Sequence, residues 1–218
     1  MKDIISEKNE IIKMLQENGL YIVQKSDFEE LVKVTGEAYI DYPLHVHFFG
    51  GKNVREGLEQ IMRVNLYSMY DEGIIYADSK DLNGFAIFLP PGFKGTNTLP
   101  FIWNGGFKII FAQGIKSIKI MANFESFAMA FKKKYTNHQD WYCYNLCVKQ
   151  SAQGKKISSK IMKPVLNYFK LNNKLCYLET NIAANVPVYE HFGFKVMEKA
   201  MVPNSNVEHY AMLFNGKE

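Results

Sequence analysis

The apolar positions change period several times along the chain, and each change marks an element. Ile4, Ile5, Ile11, Ile12 and Leu15 recur at helical spacing and predict a first helix over residues 3–18. Tyr21-Ile22-Val23 reads as a short strand. Ser26-Asp27-Phe28-Glu29 has the spacing of a capping box and opens a helix through about Tyr39, burying Phe28, Leu31, Val32 and Tyr39. Asp41-Tyr42-Pro43 stops it, and an aromatic, histidine-rich loop is expected from Leu44 to Gly51. Leu58, Ile61, Met62, Leu66 and Met69 return to helical spacing. Two short apolar runs follow, Ile74–Ala77 and Phe85–Leu89, joined by Asp81-Leu82-Asn83-Gly84, where Asn-Gly is expected to supply the positive φ angles of a hairpin turn. Residues 97–135 carry helical spacing without a strand signal and predict two helices meeting near Gln113-Gly114. The rest reads as strand Trp141–Val148, helix Lys155–Asn172, strand Leu175–Asn181, a two-turn helix from Asn185, and strands near Lys195–Val202 and Glu208–Asn215.

That order predicts an α/β fold: one domain over residues 1–218 with a mixed sheet, helices on both faces and a helical insertion at about 97–135. The strands Trp141–Val148 and Leu175–Asn181 are expected side by side and parallel, joined by a right-handed crossover through the Lys155–Asn172 helix.

Composition narrows the function classes. Apolar residues make up 47% of the chain, enough for a substantial core, and the net charge of +4 suits an anionic small ligand better than a nucleic acid. The Lys132-Lys133-Lys134 run is read as three cations complementing a helix C-terminus. A charged start, Met1-Lys2-Asp3, argues against a secretory signal, and Lys108, Lys116 and Lys119 interrupt the most apolar region before it reaches bilayer length. Cys143, Cys147 and Cys176 all fall in strands without a pairing or zinc-ligand pattern, so buried thiols in a reducing cytoplasm are expected, with no metal.

The chemistry concentrates in two segments. Leu146-Cys147-Val148 runs into the turn Gln153-Gly154-Lys155-Lys156-Ile157-Ser158 and then straight into a helix. Such a turn leaves backbone N–H groups free at the positive end of a helix, the requirement for holding a diphosphate. The second segment is Leu178-Glu179-Thr180-Asn181 followed by Asn185-x-x-x-Tyr189-x-x-x-Gly193-Phe194. Asn185, Pro187 and Gly193 suit the cap, first turn and left-handed end of a short helix.

Together these residues resemble the acyl-CoA half of a GCN5-related N-acetyltransferase (GNAT). The resemblance is firm over 140–195 and loose over 74–90, and it implies a central sheet partly splayed between its two parallel strands. It departs from the usual Gln/Arg-x-x-Gly-x-Gly/Ala turn at Lys156 and Ser158, where small residues are usual. By resemblance, acetyl-CoA is the donor. The turn residues Gln153 to Ser158 hold its diphosphate, and the backbone of Leu146, Cys147 and Val148 pairs with pantetheine amides after the strands splay beyond Leu146. Asn181 and Asn185 touch the pantetheine or phosphate arm. Tyr189 is the implied acid beside the sulfur, and a Leu146 or Cys147 N–H stabilises the oxyanion. The cysteines are read as core, not nucleophiles.

The acceptor is implied to be the amine of a small molecule, with Glu37, Tyr42, His45, Tyr142 and Tyr144 as candidate contacts. Asp41, His47 and Glu125 join Glu37 and His45 as candidate bases, and His191 is placed on the surface. Tyr42, His45, His47, Phe48 and Phe49, with Phe101, Trp103, Phe107 and Phe111, form either core or the wall of an apolar pocket. The competing reading is a non-catalytic acyl-CoA-binding protein on the same fold. No membrane or nucleic-acid partner is expected, and the chain is compatible with a homodimer.

Overall fold

A computed structural model describes residues 4–93, 107–137 and 140–217. Seven strands form one mixed sheet in the order β1-β2-β3-β4-β5-β7-β6: β1 Tyr21–Ile22, β2 Ile74–Ala77, β3 Gly84–Leu89, β4 Trp141–Val148, β5 Leu175–Thr180, β6 Phe194–Met201 and β7 Glu208–Asn215. Every neighbouring pair is antiparallel except β4 and β5. The α/β expectation, with helices on both faces, is met.

One face packs α1 (Ile4–Glu17) and α6 (Ile157–Leu171) over Trp141, Cys143, Leu178 and Met212. Three hydrogen bonds fix these helices. Glu7 is buried and accepts from the Trp141 indole at 3.2 Å and from Lys174 at 2.8 Å, and the Tyr76 hydroxyl donates to the carbonyl of Ile161 at 3.1 Å. The other face packs α2 (Phe28–Ala38) and α4 (Val54–Met69) over Ile75, Phe85, Ile87 and Cys147. A third cluster joins α3 (Pro43–Phe49), α4 and α5 (Phe107–Tyr135) to Val202 and Val207 of the β6–β7 hairpin.

Several local expectations are corrected. Residues 43–49 are helical and not a loop: Pro43 occupies the first turn, Leu44 and Phe48 bury one helical turn apart, and Gly50 ends the helix at φ 60°. A Cβ on Gly57 would lie 2.5 Å from the Phe49 ring, so glycine there lets α3 lie against α4. The helix α2 is opened not by Ser26 but by a short 3-10 turn over Lys25–Asp27, with the Asp27 carboxylate accepting from the Gln24 N–H at 2.7 Å. In the β2–β3 turn the positive φ falls on Leu82, at 52°, and not on Asn83-Gly84. The Asp78 carboxylate shapes this turn by accepting from the Gly84 N–H at 2.9 Å. The expected division near Gln113-Gly114 is present as a break inside α5, at Gly114 with φ 76°.

Candidate active site

The two parallel strands touch only at their beginnings. Cα partners run Trp141↔Cys176 and Tyr142↔Tyr177 and then stop, although β4 continues to Val148 and β5 to Thr180. The split thus opens after Tyr142, earlier than the Leu146 position expected from sequence. A bulge lies alongside, where Ile87 pairs with Asn145 but Phe88 pairs with Cys143, leaving Tyr144 as the extra residue. Before it, Trp141 and Cys143 face the α1–α6 side while Tyr142 and Tyr144 face the other. Beyond it, Leu146 turns to the α1–α6 side and Cys147 to the α2–α4 side. Strict alternation along β4 would put Tyr142, Tyr144 and Leu146 on one face; the bulge moves Leu146 to the other.

The split leaves backbone groups of β4 without a strand partner. Lys149 donates to the Asn83 carbonyl at 2.8 Å, so ladder alternation points the Cys147 amide group at Phe85 of β3. It points those of Leu146 and Val148 away from β3, into the split. Of the two oxyanion donors expected from sequence, only the Leu146 N–H is aimed there. The Leu146 carbonyl accepts from the Tyr39 hydroxyl at 2.6 Å. Cys147 is buried, and burial pushes its thiol up to about 12; Cys143 and Cys176 are raised by the same cause. Core thiols is the correct reading.

At the end of β4 a 3-10 turn, Gln150–Ala152, leads to Gly154 at φ 76° and Lys156 at φ 61°, with α6 starting at Ile157. Among the described residues the N–H groups of Gly154, Lys156, Ile157 and Ser158 have no backbone partner, and no side chain caps the helix. These residues, with Gln153, Ala152 and Val148, line a concavity of about 300 Å³. Lys155 and Lys156 are exposed at its mouth. Converging N–H donors, a helix start and two free-standing cations fit a diphosphate. A Cβ on Gly154 would meet open space, so glycine is required there by its φ alone.

Tyr189 reaches the split from the α1–α6 side. It sits on α7 (Val186–His191), packs edge-on to Phe194 at 6.1 Å, and lies in electrostatic reach of Tyr42, Cys143 and Cys147. Burial raises its phenol well above the ordinary value, so it is a neutral donor, and its hydroxyl has no hydrogen-bond partner among the described residues. Gly193 ends the segment at φ 92° as expected, and His191 is exposed. Asn185 does not cap α7; its amide donates to Thr180 Oγ1 at 3.3 Å. The Asn181 side chain is spent on the Glu208 carbonyl at 2.8 Å, and its N–H donates to the Tyr42 hydroxyl at 2.8 Å. Both asparagine side chains thus brace the chain's own end of β5.

On the opposite side of the sheet, beneath α5, sits the residue that sequence reasoning missed. Glu179 is nearly buried on β5, where burial pushes its carboxyl up to about 7 against the opposing pull of Tyr177, Lys132 and Tyr142. The Tyr177 hydroxyl donates to its Oε1 at 2.9 Å. A lone carboxylate in the inward register of an apolar strand was the available signal.

The other candidate bases fare differently. Glu37 is exposed and paired with Arg55 at 2.9 Å, and Asp41 is exposed. His45 packs between Tyr39 and Tyr42, with centroids at 5.8 and 5.0 Å, and burial lowers it to about 4, so it is neutral. Glu125 stands exposed on α5 within electrostatic reach of Glu179. Tyr42 lies in reach of both Glu179 and Tyr189. Tyr142 lies beneath the Lys132 ammonium at 4.1 Å, and Tyr144 accepts from Asn65 at 2.6 Å. Lys134 pairs with Glu198 at 2.7 Å, so Lys132 and Lys134 are engaged within the fold. Phe101 and Trp103 lie outside the described residues, as do the side chains of Phe107 and Phe111. No helix of the described residues is long and apolar enough to cross a membrane, and no group of three metal-ligating side chains occurs among them.

Comparison with known proteins agrees with this geometry. The acetyltransferase (GNAT) domain family matches residues 122–214, from within α5 to the end of β7. An uncharacterised N-acetyltransferase of Schizosaccharomyces pombe is 21% identical over 190 residues, covering 84% of this chain and 77% of that protein. Among solved structures, arylalkylamine N-acetyltransferase 2 of Aedes aegypti superposes with a TM-score of 0.62 at 14% identity, covering 91% of this chain and 98% of that one. The polyamine N-acetyltransferase of Drosophila melanogaster gives 0.58 at 10% identity, covering 90% and 98%. The split between the two parallel strands lies within residues 122–214, the segment that matches the acetyltransferase (GNAT) domain family.

Proposed function

We propose that this protein transfers the acetyl group of acetyl-CoA directly to the amine of a small molecule with an apolar or aromatic body. The observation that carries the reading is the pair of groups flanking the split: Tyr189 with a free neutral hydroxyl on one side, and Glu179 with a carboxyl near 7 on the other.

Acetyl-CoA, when bound, supplies a thioester whose carbonyl carbon accepts the amine. The N–H groups of Gly154 to Ser158 and the ammonium groups of Lys155 and Lys156 are suited to its diphosphate. The split leaves the Leu146 and Val148 backbone to pair with an extended arm as an added strand would. The Leu146 N–H is suited to developing negative charge on the carbonyl oxygen. Glu179, ionised above about pH 7, takes one proton from the acceptor ammonium; as the C–S bond breaks, Tyr189 gives a proton to the departing thiolate and recovers one from the nitrogen of the tetrahedral adduct. Tyr39, Tyr42, His45, Tyr142 and Tyr144 offer half-buried rings on the acceptor side, which favours an amine with an apolar or aromatic body over a polycation.

Calorimetry with acetyl-CoA against adenosine diphosphate, followed by an amine screen, tests this reading. Tyr189→Phe is expected to lower kcat by roughly 10²-fold with acetyl-CoA affinity unchanged, and Glu179→Gln to lower kcat/KM for the amine by roughly 10²–10³-fold. Acetyl-CoA binding no tighter than the diphosphate, or full turnover in both variants, would sink it.

A further inference from the structure

The buried side-chain network beneath α5 contains one group that the transfer reaction does not use. His209 on β7 is fully buried, and its ring is boxed by Phe124, Phe127 and Phe131 of α5 with centroids at 5.9, 5.2 and 5.1 Å. The Asn181 amide lies 3.4 Å from Nδ1 and donates through the same nitrogen to the Glu208 carbonyl. Nδ1 therefore accepts, and the ring proton resides on Nε2. That Nε2 has no hydrogen-bond partner, and it faces Glu179 Oε1 at 4.0 Å. An orphaned donor sealed among aromatic rings costs free energy unless an acceptor closes on it. Among the described residues, the ionisable acceptor that faces it is Glu179.

We propose that His209 is a positioning residue for Glu179: its Nε2–H closes on Oε1 when the carboxylate is ionised and, with the Tyr177 hydroxyl, holds that oxygen so that Oε2 is left for the acceptor. The inference rests on Glu179 being the base, as proposed above. Asn181 is the third member, fixing the imidazole tautomer from the far side. The ring stays neutral throughout, because burial holds His209 near 4. Other groups also act on Glu179: Tyr177 of β5, Tyr142 and Tyr144 of β4, Tyr42 ahead of α3, and Glu125 and Lys132 of α5. Glu125 raises its carboxyl, while Tyr177, Lys132 and Tyr142 lower it. None of them donates to Oε1 from the β7 side.

A donor that binds only the ionised form lowers the pKa of its partner, so removing it raises that pKa. Replacing His209 by Phe keeps the aromatic packing and deletes the donor, whereas His209→Gln keeps an N–H near the position of Nε2. The Glu179 carboxyl is followed by carbon-13 NMR of glutamate-labelled protein, assigned by its loss in Glu179→Gln, and kcat/KM for the amine is followed against pH. His209→Phe is expected to raise the carboxyl by about one unit, with the acidic limb of kcat/KM moving by the same amount, and His209→Gln to restore both. An unmoved carboxyl in a folded His209→Phe protein overturns the proposal, as does a Gln variant that behaves like Phe. A carboxyl that shifts while the acidic limb stays put supports the His209 coupling and overturns only the assignment of Glu179 as base.

Discussion

Burial raises Glu179 to about 7, above its ordinary value of 4.5. A carboxyl raised on folding favours the folded state below the unfolded pKa, and that advantage is lost as pH climbs through 7. At pH 8 the ionised side chain therefore costs the fold about 3 kcal/mol. Glu179→Gln is expected to melt higher than the parent at pH 8 and level with it at pH 4, by calorimetry, while losing activity. His209 has the opposite sign. It is neutral when folded but takes up a proton below about 6.5 when unfolded, so stability falls as pH drops from there toward 4. His209→Gln should narrow the gap between urea midpoints at pH 7 and pH 4.5. Tyr189 was singled out in the sequence because Asn185-x-x-x-Tyr189-x-x-x-Gly193 resembles the GNAT pattern, and not through helix capping, which the Asn185 side chain does not provide. Glu179 was visible but unassigned, since its raised carboxyl comes from burial and from Glu125 of α5, a remote segment whose approach no local spacing reports.

Among the elements, strands and long helices were readable because each has one apolar period and a clean stop. The helix Pro43–Phe49 was not, because a proline that ends one helix also begins another, and the two readings differ only in what Leu44 and Phe48 pack against. The bulge at Tyr144 was equally hidden: nothing in Tyr142-Cys143-Tyr144-Asn145-Leu146 announces that one residue is surplus until β3 supplies the register. The turn before α6 was predicted with its correct residues, but its strain was not. Lys156 holds a left-handed conformation that glycine would adopt freely. Lys156→Gly should therefore raise stability by up to about 1 kcal/mol, and Gly154→Ala should lower it by about the same amount. The alanine variant should also weaken acetyl-CoA binding, and thermal unfolding with a parallel titration reads both effects.

For the molecule as a whole, the two groups proposed to move protons, Tyr189 and Glu179, lie on opposite sides of one sheet and face each other across the gap between β4 and β5. In the proposed direct transfer both substrates must be present together, because the thiols near the gap are buried with raised pKa and unfit to carry the acyl group. Initial-rate plots are expected to intersect, and mass spectrometry of protein incubated with acetyl-CoA alone should find no acetylated cysteine; parallel lines with a stable adduct would contradict this. The extra residue at Tyr144 bears on how such a protein can change over generations. It inserts a half-period into one strand, so Tyr142 and Tyr144 upstream face the side proposed for the amine while Leu146 downstream faces the α1–α6 side with Tyr189. Under the proposed reaction, substitutions at Tyr142 and Tyr144 would retune acceptor preference without loosening the grip on acetyl-CoA. A strand without that phase slip would tie both affinities to a single face, and every gain in one would be exposed as a loss in the other.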